Sequence, residues 1–141
     1  MKYINVISKG DFVLEKLKFI SLETLLELIE NKEEFKLVDT LQKETFDAEH
    51  IPGAINLPLE KIRELAPQQL KKDEKIVLYC RDYPCHTSTT AAKILMQMGY
   101  TEVMDFRAGK RGWLEAGFEL EQSPTQKEGL VEQKPLNSPK Q

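Results

Sequence analysis

Only two of the 141 residues are cysteine and only two are histidine. Two cysteines cannot form a disulfide framework, and the ligand set of a structural zinc site is missing in both number and spacing. No apolar run is long enough to span a membrane. Neither sign of charge dominates: 20 Lys and Arg face 23 Asp and Glu, for a net charge of -3. That excludes the broad basic field of a bulk nucleic-acid binder and leaves room only for a local basic patch. The opening stretch "MKYINVISKGDFVLEKLKF" is charged every few residues and lacks the apolar block of a secretion signal. The expectation is a cytoplasmic protein with reduced thiols, no membrane and no nucleic-acid partner.

What remains is an ordinary balance for one domain, with 40% hydrophobic and 30% charged residues. Residues 1–18 have strand character around Lys9-Gly10 and read as an arm or extra strands. Ser21 is placed to cap a helix whose apolar face is Leu22, Leu25, Leu26 and Ile29. "FKLVDT" predicts a buried strand ending at Asp39, Pro52-Gly53 a turn, and "AINL" a short strand. "LEKIRELAP" predicts a turn or two of helix closed by Pro67. "EKIVLYC" is the clearest central strand, since "IVLY" is unbroken and rich in β formers. A helix opening at Ser88, with Ala91, Ala92, Ile94, Leu95 and Met98 inward, stops at Gly99. "TEVMDF" predicts a further strand and "GWLEAGF" a last short helix. Residues 122–141 carry three prolines and no apolar period, and read as a disordered tail. Strands alternating with helices predict an α/β fold with a parallel sheet covered on both faces.

In such sheets, sites form beyond the carboxyl ends of the strands. Cys80 stands at one of those ends, and Cys85 lies in the loop just after it. A loop entering a helix N-terminus presents converging N–H groups, which predicts a stabilised thiolate at Cys80. The same donors would hold an anionic group on its sulfur, as covalent group transfer requires. The alternative is that Cys80 is simply a small buried residue.

Four motifs in order now define a resemblance. "LVDT" with "FDAEHIPGAINLP" supplies Asp39, Phe46, His50 and Pro52 to Asn56; "IVLYCR", "STTAAKILMQMGYTEV" and "AGKRGWLEAGFEL" follow. Over residues 19–121 the chain resembles the rhodanese-like family of sulfurtransferases. The resemblance implies a parallel sheet of about five strands with helices on both faces. It also implies that Cys80 takes a sulfane sulfur from a donor, thiosulfate or a persulfide, becomes a persulfide, and passes the sulfur to a thiol or cyanide. No metal or organic cofactor is implied. The implied partners are a small sulfur donor and a thiol acceptor, including a protein thiol or a thioredoxin-like reductant.

The loop departs from the family pattern Cys-Arg-x-Gly-x-Arg-Ser. Here it reads "CRDYPCHTS", two residues longer if Ser88 is the matched serine, with Thr87 where the second Arg usually stands. Leu41 replaces the family's frequent Arg after Asp39. Two anion-holding groups are thus absent, which counts against thiosulfate. Candidate substrate-binding residues are Arg81, Asp82, Tyr83, Pro84, Cys85, His86, Thr87 and Ser88, and candidate accessory residues are Asp39, Arg107, Lys110 and Arg111. Each basic residue has the alternative of a solvated surface. Asp39 either bonds the loop or caps a turn, and His86 either serves a leaving group or is a polar loop residue. His50 belongs to the turn before Pro52, and Trp113 and Phe118 to packing. Cys85 either resolves the Cys80 persulfide or fills the longer loop.

Two further functions compete. Cysteine-dependent phosphatases and arsenate reductases resemble a Cys-x5-Arg loop, but the sixth residue after Cys80 is His86. A non-catalytic or sulfur-carrier module of the same fold is the other alternative.

Overall fold

The computed structural model describes residues 17–124. Five strands, β1 (Lys18–Phe19), β2 (Lys36–Asp39), β3 (Ile55–Asn56), β4 (Lys75–Tyr79) and β5 (Glu102–Phe106), form one sheet in the order β1-β5-β4-β2-β3. Every pairing is parallel. The helices are α1 (Leu22–Glu30), α2 (Lys43–Ala48), α3 (Ile62–Gln69), α4 (Thr87–Gln97) and α5 (Gly109–Glu115), with a 3₁₀ turn at Leu59–Lys61. Among the described residues, no helix is long and apolar enough to cross a membrane.

The unbroken apolar run of β4 follows from its place at the centre of the sheet. Successive side chains of a strand point to opposite faces. Ile76 and Leu78 pack with Ile62, Ala66, Ala91, Ala92 and Leu95, on the face covered by α3 and α4. Val77 and Tyr79 pack with Leu25, Leu28, Phe106 and Trp113, on the face covered by α1 and α5. The fold is therefore the expected α/β sandwich, and its carboxyl rim carries the loops after β2, β4 and β5.

Local departures from the sequence reading have physical causes. Ser21 does cap α1, its Oγ accepting the Thr24 N–H at 3.1 Å. The face meeting the sheet centres on Leu25 and Leu28, however, and Ile29 is left 42% exposed. Pro67 does not close α3, which continues to Gln69. A proline costs a helix one hydrogen bond, here to the Arg63 carbonyl. Arg63 and Pro67 lie on the exposed side, while buried Ile62 and Ala66 hold the helix to the core. α2 had no apolar period to announce it, and none of its residues is buried. The strand character of the first residues falls largely outside the described chain. So does most of the tail, although Ser123 is still fastened to Asp47 by backbone and side chain, at 3.0 and 2.7 Å.

Candidate active site

Cys80 leaves β4 at the centre of the carboxyl rim and is 0% exposed. Its backbone is fastened from the side by the start of α5. The Lys110 N–H donates to the Cys80 carbonyl at 3.1 Å and the Arg111 N–H to the Arg81 carbonyl at 3.0 Å. Gly109 makes this approach feasible. Its φ is +62°, and a Cβ there would lie 2.4 Å from the Cys80 carbonyl oxygen. Thr40, at the end of β2, donates its hydroxyl to the Tyr79 carbonyl at 2.9 Å. Farther along the loop, the Arg107 guanidinium donates to the Tyr83 carbonyl at 2.6 Å and lies over the Tyr83 ring at 5.1 Å. The Cys85 N–H closes a turn onto the Asp82 carbonyl at 3.1 Å.

Inside this frame the Cys80 Sγ is 3.5 Å from the Cys85 carbonyl oxygen and 3.5 Å from the Ser88 Oγ. Ser88 donates to Asp105 Oδ1 at 2.7 Å, and Thr89 donates to Asp105 Oδ2 at 2.5 Å. Asp105 is fully buried, and burial raises its carboxyl although both hydroxyls pull the other way. It thereby fixes the first turn of α4 against Cys80. Asp105, Thr89 and Gly109 were absent from the residues singled out by sequence. A carboxylate at an inward position of the buried strand "TEVMDF" was the available signal, because an Asp in a core needs partners.

Burial works against the expected thiolate at Cys80. Burial pushes the Cys80 thiol up to about 11, its hydrogen bond to Cys85 adds to this, and Ser88 opposes it only in part. For Cys85, burial also acts upward. It is outweighed by the neighbouring polar groups, first Cys80 and then Thr87 and the Arg81 backbone, so this thiol is held below its ordinary value. The Cys85 carbonyl lies against the Cys80 sulfur, and the Cys85 sulfur lies 3.4 Å from the Thr87 hydroxyl. Both cysteines are free. Iodoacetamide at neutral pH should therefore label Cys85 first. Labelling of Cys80 should rise as pH climbs toward about 11, because a raised thiol pKa leaves little thiolate below it. Peptide mapping across a pH series reads the order, and equal labelling of both at pH 7 would contradict it.

The other candidate residues separate into groups. Tyr83, Pro84 and His86 are exposed on the loop, with His86 at the N-cap position of α4. Asp82 is half-buried and lies 3.7 Å from exposed Arg81. Arg81, Lys110 and Arg111 line one cleft of about 410 Å³, together with Leu114, Leu120, Glu49 and Glu115. Lys110 is not a solvated surface residue: it is 7% exposed, with its Nζ donating to the Glu49 carbonyl at 3.2 Å. Asp39 caps a turn, accepting the Leu41 N–H at 2.9 Å, and its fully buried carboxyl is raised by that burial. His50 stacks on Phe46 and bonds its carbonyl at 2.7 Å, as a turn residue should. Trp113 is buried and Phe118, 39% exposed, packs on it at 4.8 Å. Among the described residues there is no cluster of three metal-ligating side chains.

The family model of the rhodanese-like domain matches residues 21–116. The chain belongs to the rhodanese-like domain family. It is 31% identical over 101 residues to a sulfurtransferase of Allochromatium vinosum, covering 72% of this chain and 92% of that one. It is 27% identical to the putative sulfur carrier protein YrkF of Bacillus subtilis, over 67% of this chain and 49% of that one. Among solved structures, the BH2092 protein of Bacillus halodurans superposes with a TM-score of 0.69 at 29% identity, covering 74% of this chain and 77% of that one. This rhodanese-like chain spans about half the length or less of three curated relatives it matches, at 49%, 44% and 21%.

Proposed function

We propose that the protein is a sulfurtransferase that moves a sulfane sulfur to a thiol acceptor through a persulfide on Cys80. The observation that carries this reading is the setting of the Cys80 sulfur. It stands at the carboxyl end of the central strand, facing the first turn of α4, with Ser88 Oγ at 3.5 Å. The names of two relatives, a sulfurtransferase and a putative sulfur carrier, support the chemistry.

The Cys80 thiol donates to the Cys85 backbone carbonyl at 3.5 Å. As the Cys80 thiolate attacks the outer sulfur of a donor, the donor leaves with the electron pair of the bond that breaks. A low-molecular-weight persulfide fits this site better than thiosulfate. The loop offers no second Arg beside Ser88, and Arg107 is committed to the Tyr83 carbonyl. Arg81, Lys110 and Arg111 are gathered in the neighbouring cleft, where a charged thiol acceptor would meet them.

The test is intact-mass measurement after exposure to glutathione persulfide and, separately, to thiosulfate. The expected product gains one sulfur atom, mapped to Cys80 and removed by cyanide, with the persulfide reacting faster. Absence of any added sulfur with both donors would overturn the reading in favour of a non-catalytic module.

A further inference from the structure

Resting on the Cys80 persulfide reading, we propose that Cys85 is a further catalytic residue. Its thiolate attacks the Sγ of the Cys80 persulfide, closing a Cys80–Cys85 disulfide and expelling the outer sulfur as hydrosulfide. The protein then delivers its sulfur as sulfide and is returned to the dithiol by a dithiol reductant.

The placement of Cys85 carries this inference. Its backbone carbonyl packs 3.5 Å from the Cys80 Sγ, so residue 85 lies directly against the inner sulfur. Its own sulfur is 3.4 Å from the Thr87 hydroxyl, at the mouth of the α4 N-terminus. The loop is pinned around it: Arg107 holds Tyr83, the Asp82 carbonyl holds the Cys85 N–H, and Arg111 holds the Arg81 carbonyl. Cys80 is fully buried, whereas Cys85 is half-exposed, so a soluble reductant reaches Cys85 before it reaches Cys80. The two cysteines are also polarised in the direction the reaction needs, with the negative charge favoured on Cys85.

The choice of sulfur follows from leaving groups. Attack on the outer sulfur would expel Cys80 as a thiolate, and burial makes that thiolate a poor leaving group. Attack on Sγ expels hydrosulfide, the anion of a stronger acid. In that step the bond between Sγ and the outer sulfur breaks, its electron pair leaves with hydrosulfide, and the Cys85 pair forms the new bond. The sulfane sulfur is reduced and the two cysteines are oxidised to the disulfide. The external dithiol then reduces that disulfide to two thiols and itself becomes a disulfide.

The experiment uses the full chain, loaded with glutathione persulfide, freed of excess donor and kept without reductant. Intact mass, peptide mapping and released sulfide are followed together. Wild type should first gain one sulfur, then lose it together with two hydrogens, releasing one hydrosulfide per chain; dithiothreitol should restore the starting mass. In Cys85→Ser and Cys85→Ala the added sulfur should persist on Cys80, and sulfide release should slow by an order of magnitude or more. If wild type and both variants hold or release the sulfur alike, the Cys85 step is wrong and the Cys80 persulfide stands. Sulfur found stably on Cys85 would likewise overturn the step. If no chain acquires sulfur on Cys80, both this inference and the reading beneath it fall.

Discussion

Cys80→Ser is expected to lose sulfur loading and turnover by roughly 10³-fold or more, the scale seen when a covalent nucleophile is removed. The side chain is fully buried between the Cys85 carbonyl and Ser88, each 3.5 Å from the sulfur. A serine hydroxyl fits this space and can donate to the same acceptors, so the fold should hold to within about 1–2 kcal/mol. What is lost is the nucleophile, since the hydroxyl is far less reactive near neutral pH. Mass spectrometry of the loaded chain and a sulfide assay read the outcome, and thermal denaturation guards against mistaking unfolding for inactivity. A Cys80→Ser chain that still turns over at the wild-type rate would remove Cys80 from the reaction and leave Cys85 as the sulfur carrier.

The second large effect belongs to a residue with no chemistry of its own. Gly109→Ala should destabilise the protein by about 2–5 kcal/mol, combining left-handed backbone strain with overpacking. That corresponds to a drop in melting temperature of roughly 10 °C or more. The added carbon would sit 2.4 Å from the Cys80 carbonyl and 3.0 Å from the Arg81 carbonyl, and backbone atoms cannot swing aside as a flexible side chain can. The bonds from Lys110 and Arg111 that fasten the loop would part, so loading of Cys80 should fall as well, even below the melting transition. Gly117→Ala is the control. It also has a positive φ, at +98°, but nothing lies within 4 Å of the added carbon. It should therefore show only the strain, about 1–2 kcal/mol, with sulfur loading intact. Equal losses in the two variants would mean that the close approach at Cys80 does not matter.

Much of the architecture was legible in the chain because it rests on local periodicity. The run "IVLY" states a strand buried on both faces, and the structure places it third of five, between β5 and β2. Ser21 stated a helix start that its hydroxyl does make. α2 was not legible, because none of its residues is buried and so no apolar pattern marks it. The Pro67 stop misled because the cost of one missing hydrogen bond was smaller than the hold of Ile62 and Ala66 on the core. Asp105 was passed over because its partners, Ser88 and Thr89, lie far away in sequence on the next helix back.

The amino-acid sequence by itself determined the alternation of strands and helices, the position of Cys80 at a strand end, and the presence of a second thiol five residues on. These depend on spacing, and spacing is local. Only the tertiary structure decided which thiol the loop favours as an anion. Sequence position predicted Cys80, at the mouth of the helix. Folding buried Cys80 completely, which raises its thiol, and left Cys85 half-exposed with its sulfur 3.4 Å from the Thr87 hydroxyl and its thiol below its ordinary value. Acidity depends on the balance of desolvation against converging donors, and that balance exists only once β4, α4 and α5 have closed around the loop.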